Sequence, residues 1–376
     1  MCQYTFLPFL TSEYLLNNQP VSSVHTRNQF HTIQQFLNVV FPLTAVLVFF
    51  LFCGIVLLLR RQSPIAFYLT ILNSGFSSFD EFAGVLFNAT PLIFTGLAVA
   101  LAFKAGLFNI GCEGQLYVAA FTAAWFGIHI NLPSIVLIPL CIAAAMLSGA
   151  IWGAIPGLLK VKFGAHEVIN TIMLNFIALA LTNYLVVSVF REPGQMTPQT
   201  AAINKTARFQ RLGEVVPFIE ESNLLDSSFL LAILCVIITY VFLKYSRWGY
   251  ELRLVGNASD VATYGGINPG KVIVWTMALS GTIAGLAGVS DVMGYRHRFL
   301  DSFSSGWGFT GIVVALLGRN HPFGVFAASL LFGLLNKVAL DIELLLGIPR
   351  GLFLVGQGLL IIVMVCMEGF VIKRRK

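Results

Sequence analysis

The chain has 376 residues, 57% of them hydrophobic and only 11% charged, and carries a net charge of +6. A soluble domain has roughly a quarter charged residues, so this composition speaks against a soluble enzyme or a nucleic-acid binder. The excess of Lys and Arg reads instead as basic residues gathered at one face of a membrane.

Taken in chain order, residues 1–35 form a polar tail. It lacks an apolar run followed by a small-residue cleavage site, so no removable signal peptide is expected. Phe36 to Leu59 is the clearest span, uncharged throughout and closed by Arg60 and Arg61. About twenty apolar residues cross the ~30 Å hydrocarbon core at ~1.5 Å each. A short interfacial helix is expected over 63–72. Further spans are expected over 82–103, 116–130, 133–160, 168–190, 229–243, 272–289, 306–318, 322–340 and 352–367. The expected fold is therefore all-α: a polytopic transmembrane bundle of about ten spans (eight to eleven), with interrupted helices at membrane depth. The transmembrane body covers 36–372, with polar loops at 191–228 and 244–271 and a basic end at 373–376. Ten spans put both termini on one side. If Lys373–Lys376 is cytoplasmic, so are Lys104, Lys160, Lys162, the 244–271 loop and Arg319, while Arg60 and Arg61 fall outside. An odd number of spans with the N-terminus outside is the other arrangement.

Three groups of polar residues interrupt the apolar pattern. Asn109, Glu113 and Gln115 lie between two runs, where Gly106, Gly111 and Gly114 loosen any helix. His166, Glu167, Asn170 and Asn175 form the second, with Glu167, Asn170 and Asn175 near one helical face. Asp291, Tyr295, Arg296, His297, Arg298 and Asp301 lead into Trp307 as the third. A charged group at membrane depth costs roughly 2.5–3.5 kcal/mol on insertion scales and usually faces a cavity. Each group alone fits a headgroup-level loop; three in one bundle favour a translocation pathway. Small residues at four-residue intervals, Gly149, Gly153 and Gly157 with Gly281 and Gly285, fit close helix packing.

Catalytic signatures are weak. There is no HExxH, no GxSxG and no His/Cys cluster with ligand spacing, and the six cysteines are scattered. Gly265 to Val272 nearly spells a phosphate-binding loop, but ends in Val272 where magnesium chemistry needs a hydroxyl. No catalytic or metal site is expected, and no cofactor bound by this chain.

Phe108-Asn-Ile-Gly-Cys-Glu-Gly-Gln115 closely resembles the permease subunits of ABC importers for simple sugars and nucleosides, most of all the nucleoside branch. Glu167 to Asn175, Trp248 to Arg253 with Gly256-Asn257, Gly265-Gly266-Ile267 and Ser305 to Ile312 continue the match in order over residues 36–372. The resemblance implies a bacterial cytoplasmic-membrane subunit working by alternating access. It also implies partners: an ATPase that uses ATP and Mg, commonly a tandem fusion, a second homologous permease, and a substrate-binding lipoprotein. The 244–271 loop would carry a cytoplasmic coupling helix, with Asn257 or Ser259 capping a helix through Ala262 and Tyr264. Residues expected to couple are Arg253, Gly256, Asn257, Ala262, Tyr264 and Gly266. Those expected along the substrate pathway are Asn109, Glu113, Gln115, Glu167, Asn170, Asn175, Trp307 and Phe309. The tail is longer than the family leads one to expect, and Cys112 stands where a smaller residue is usual. A simple sugar such as ribose or galactose is the alternative cargo. An ion-coupled secondary transporter, recruiting Glu113, Glu167 and Asp291, is the alternative from another class.

Overall fold

The computed structural model describes residues 43–214, 220 and 223–373, so the polar tail, the start of the first span and the last three basic residues lie outside the described residues. Regular structure among them is helical, apart from two isolated bridging pairs, Gln199 with Leu300 and Arg211 with Asp226. The chain divides into two compact units. Residues 43–55 and 356–373 belong to one, and residues 56–355 make up the other. In the smaller unit Gly356 lies against the ring of Phe49, where a Cβ would come within 2.6 Å of it.

Helix α1, Leu43–Leu59, is followed by α2, Pro64–Phe76, which Ser63 caps by accepting from the Ala66 amide at 3.4 Å. Ser78 caps α3, Phe79–Lys104, whose first turn holds Asp80 and Glu81 and whose last holds Lys104, as the helix dipole favours. Then come α4, Cys112–His129, and α5, Ser134–Phe163, which Gly164 ends at a φ of 66°. Helix α6, Glu167–Tyr184, runs on through a π-helical turn at Leu185–Val189. After the polar loop come α7, Ser228–Tyr245, α8, Arg247–Asn257, and α9, Ser259–Tyr264. Helix α10, Pro269–Val289, passes into π-helical turns over Ser290–Arg296. The chain ends with α11, Trp307–Leu317, α12, Pro322–Leu346, and α13, Gly351–Lys373.

Six of these are long and apolar enough to cross a membrane, including α6 and α10 with their π-helical extensions, against the expected count of about ten. The difference has physical sources. At 11 residues α11 is too short to cross alone, α4 opens on Glu113 and Gln115, and α1 and α13 are apolar over shorter described stretches. The interfacial helix expected over 63–72 is α2, somewhat longer than its apolar pattern suggests.

Within the larger unit, α3 and α10 are the most enclosed long helices, packed on each other and on α4, α5, α11 and α12. Helices α5, α6 and α7 turn Leu147, Ile151, Met173, Phe176, Leu234 and Ile238 outward, the surface a bilayer requires. The spaced glycines meet within the chain. Along α5, Gly149 and Gly153 lie directly on the α10 backbone, and a Cβ on Gly153 would come within 2.5 Å of the Met277 carbonyl oxygen. Any Cβ on Gly281 would fall on the Gly149 carbonyl oxygen.

Packing also sorts the loops into two ends. At one, Gly256 lies on Lys104–Ala105, Gly270 on Val161, and Tyr240 against His321 at 5.7 Å between ring centres. Lys104, Lys160, Lys162, Lys244, Arg247, Arg253, Lys271 and Arg319 gather there, with Glu167, Glu251 and Asp260 as the acidic residues. At the other end the 191–228 loop lies over the ends of α3, α4 and α10. Asn204 donates to the Ile130 carbonyl (2.9 Å), Asn223 to the Asp80 carbonyl (2.9 Å), and the amides of Thr200, Ile203 and Phe209 donate to the carbonyls of Phe299, His297 and Met293. Arg298 adds an ion pair to Glu192 at 2.7 Å.

Asp226 anchors this loop. Its carboxylate presses on Gly294 and accepts from the Ser228 amide at 2.7 Å. Burial pushes the carboxyl up to about 6, against the opposing pull of the Ser228 hydrogen bonds and the Arg211 charge. The folded chain keeps this proton up to about pH 6 while the unfolded chain releases it near 3.8. Stability therefore falls as pH rises through that window and stays lower above it. Asp226→Asn is predicted to remove this slope and to raise the melting temperature at pH 7.5, by a stabilisation on the order of 3 kcal/mol at most. Thermal melts of both proteins between pH 4 and 8 check this; parallel curves would contradict it.

Candidate translocation and coupling elements

Between α3 and α4 the chain turns back into the bundle at Leu107–Gly111. Its depth can be read from Ser280, which donates to the Ala98 carbonyl at 2.6 Å. Ala98 is six residues before Lys104, so this point lies roughly 9 Å along the helix from the basic end. Asn109 sits at the same level. Its Nδ2 donates to Ser280 Oγ (2.8 Å) and to Gln115 Oε1 (3.0 Å), and its Oδ1 accepts from the Gly111 amide (3.0 Å) and from Gln115 Nε2 (3.2 Å). Both amide side chains are 1% exposed, so their hydrogen bonds must close inside the protein, and they do.

Asn175 holds this knot to α6. It accepts from the Gly114 amide (2.8 Å) and donates to the Ile110 carbonyl (2.9 Å). The approach needs glycine at 114, where a Cβ would sit 2.9 Å from Asn175 Oδ1. Glu113 faces the other way. Its Oε2 accepts from the Gly308 amide at 2.7 Å, with Ser304 and the Gly306 amide also in reach, so one buried carboxylate closes the N-terminus of α11. Gly308 itself packs on the Glu113 backbone.

The expected pathway residues thus divide. Asn109, Glu113, Gln115 and Asn175 come together in the re-entrant knot. Glu167 stands apart at the basic end, paired with Lys160 at 2.6 Å. The buried stripe of α6 is Glu167, Thr171, Asn175, Ala178 and Thr182, and Asn170 lies one position off it, half-buried. Trp307 is half-buried and ends an aromatic row through Phe303 (5.9 Å) to Tyr117 (4.6 Å), while Phe309 is 49% exposed. In the third polar group, Asp291 pairs with Arg296 at 3.0 Å inside the π-helical turns, and Arg298 pairs with Glu192 of the 191–228 loop.

Sequence reasoning missed Ser280, Thr171, Tyr117 and Lys337. Ser280 and Tyr117 take part only through residues more than 170 positions away, which no local pattern displays. Lys337 breaks an expected span and could have been noticed as a charge there. It donates to the Ser74 carbonyl (2.6 Å) and pairs with Glu81 and with Asp341 (3.3 Å), tying α2, α3 and α12 together.

The 244–271 segment is α8 and α9. Ser246 caps α8 through the Gly249 amide (2.9 Å). Neither Asn257 nor Ser259 caps α9, contrary to the expectation: Ala258 holds the capping position without a side-chain bond, because α9 follows α8 with a single residue between them. Leu252, Val255 and Ala262 face inward onto Leu101, Leu107 and Met277. Tyr264, Val261, Asn257 and Gly266 stay exposed, Tyr264 almost wholly at 93%. Arg253 donates to the Gly249 carbonyl at 3.3 Å.

A multi-pass bundle with a re-entrant polar knot and a basic end bearing paired short helices has the form of a transport subunit. Residues 82–365 match the model of the branched-chain amino acid transport system / permease component family, and the chain belongs to that family. It is a membrane permease subunit of the ABC importer type. Among its relatives, the guanosine ABC transporter permease protein of Bacillus subtilis is 35% identical over 84% of this chain and 90% of its own. The nucleoside ABC transporter permease protein of Lactococcus lactis is 34% identical over 80% and 84%. The glucose ABC transporter permease protein of Haloferax volcanii is 34% identical over 88% and 87%.

Proposed function

We propose that this chain forms part of the translocation pathway of an ATP-driven nucleoside importer in a bacterial cytoplasmic membrane. A separate ATPase, commonly with tandem nucleotide-binding domains, hydrolyses ATP with Mg. A second homologous permease completes the pore, and a binding lipoprotein delivers cargo at the loop end. The guanosine and nucleoside permeases among its relatives support the cargo. A simple sugar is the second reading, favoured by the glucose permease at 34% identity.

The observation that carries the coupling role is the exposed α8–α9 pair seated on the end of α3. Gly256 rests on the Lys104 and Ala105 backbone, and Leu252, Val255 and Ala262 anchor the pair, while Val261 and Tyr264 point outward. A docking ATPase would press there and move α3 and the knot behind it, biasing the bundle between its two states. Asn109, Gln115 and Asn175 then act as gate or scaffold, with Trp307 and Phe309 offering aromatic faces to a base.

Gly256→Trp is predicted to uncouple the system, since the indole must displace the α8 end from Lys104. Uptake should drop at least about tenfold, a 1.4 kcal/mol effect, while the chain stays in the membrane fraction. Unchanged stimulation of ATP hydrolysis by loaded binding protein would contradict the docking assignment. The decisive test of the whole reading is mild-detergent co-purification followed by uptake assays. A two-domain ATPase and a second permease, with nucleoside-stimulated hydrolysis, are the expected result. One permease with an ATPase and sugar uptake would favour the second reading. Uptake that survives ATP depletion and fails when ion gradients collapse would reject both.

A further inference from the structure

Where α4 and α6 reach the loop end, the structure has a half-open pocket of about 190 Å³ that the translocation role does not use. Phe121, Trp125 and His129 of α4 line it together with Phe190, Arg191 and Thr200. The walls are aromatic and in mutual contact. Trp125 stacks on His129 at 4.9 Å, and Phe190 meets Phe121 at 5.7 Å and His129 at 6.0 Å.

Its height in the membrane follows from helix length. The α6 span, Glu167–Val189, has 23 residues and starts at the basic end. It rises roughly 34 Å, enough to cross a ~30 Å hydrocarbon core. Phe190 and Arg191 therefore stand at headgroup level, with Tyr184, Val187 and Val189 exposed just below them. Trp and His rings with Arg at this depth match the interfacial chemistry of bilayers. Arg191 is exposed, and its guanidinium donates to the Gln195 carbonyl at 3.3 Å. His129 Nδ1 lies 2.9 Å from the Trp125 carbonyl, which can only accept, so Nδ1 donates there and Nε2 is left facing away from that bond, an acceptor in that tautomer.

We propose that this pocket binds one anionic phospholipid of the phosphatidylglycerol type. Arg191 holds the phosphodiester, His129 Nε2 accepts from a headgroup hydroxyl, and the upper acyl carbons lie against Phe121, Trp125 and Phe190. Zwitterionic lipid offers the same phosphate but sets a cation beside Arg191, so it fits less well.

The test uses the chain with whatever subunits it retains in mild detergent, placed in phosphatidylcholine nanodiscs doped with brominated phosphatidylglycerol or brominated phosphatidylcholine. The Trp125 signal is wild-type emission minus that of Trp125→Phe. The expected result is quenching about fivefold stronger by the brominated anionic lipid, the enrichment one basic residue gives near a charged surface. Arg191→Gln should bring it down to the phosphatidylcholine level while uptake is retained. Equal quenching by both lipids, or a preference that survives in Arg191→Gln, overturns the proposal. Loss of the preference on adding inorganic phosphate would assign the pocket to the free ion. Absence of quenching by either lipid would mean that a protein partner covers it.

Discussion

Gly281→Val is expected to leave little folded protein in the membrane. The α5–α10 seam is backbone on backbone: a Cβ on residue 281 lands on the Gly149 carbonyl oxygen, and one on Gly153 would come within 2.5 Å of the Met277 carbonyl oxygen. Neither obstacle is a side chain that can swing aside. Overpacking a well-filled site costs about 1–3 kcal/mol and sometimes more, and a clash with backbone belongs at the upper end. Few other contacts could compensate, because lipid supplies no hydrophobic force to hold helices together. Fluorescence-detected size exclusion and thermal melts of Gly281→Val against Gly358→Ala, where no atom of the described residues lies within 4 Å of an added Cβ, measure the effect. A Gly281 variant as abundant and stable as the Gly358 control would show that the helices do not meet as described.

Glu113→Ala is expected to abolish uptake while the protein remains in the membrane. The carboxylate is 4% exposed and accepts from the first turn of α11, so its loss strands the Gly308 amide in the bundle. A buried donor without an acceptor costs about 1–3 kcal/mol, tolerable for folding but enough to release an 11-residue helix from its place. Glu113→Gln keeps an oxygen for Gly308 without the charge, and should retain partial transport. Labelled-nucleoside uptake normalised to protein in the membrane reads both variants. A wild-type rate in the alanine variant would refute a role for Glu113.

The apolar runs made most of the helices legible, because in lipid every backbone group must be satisfied within its own segment. Legibility failed where length and depth separate. Trp307–Leu317 is as apolar as a span yet half the length, and its start deep in the bundle is set by Glu113, 195 positions away. The polar knot was foreseen as a cluster from its glycines and amides. What Asn109 bonds to beyond the cluster was not, since Ser280 comes from another helix and donates in turn to the Ala98 carbonyl of a third. Asn170 shows the limit of helical periodicity. It is the immediate neighbour of Thr171, and only the packed helices decide which of the two faces inward.

The glycine seam also bears on how the bundle can move. Helices that touch through side chains can slide past one another by switching rotamers; α5 and α10 have no such bearing over Gly149–Gly153 and Gly281. They form a single lever. Any opening of the permease must carry the two together and take up its strain elsewhere, at the turns of the re-entrant segment and at the π-helical end of α10.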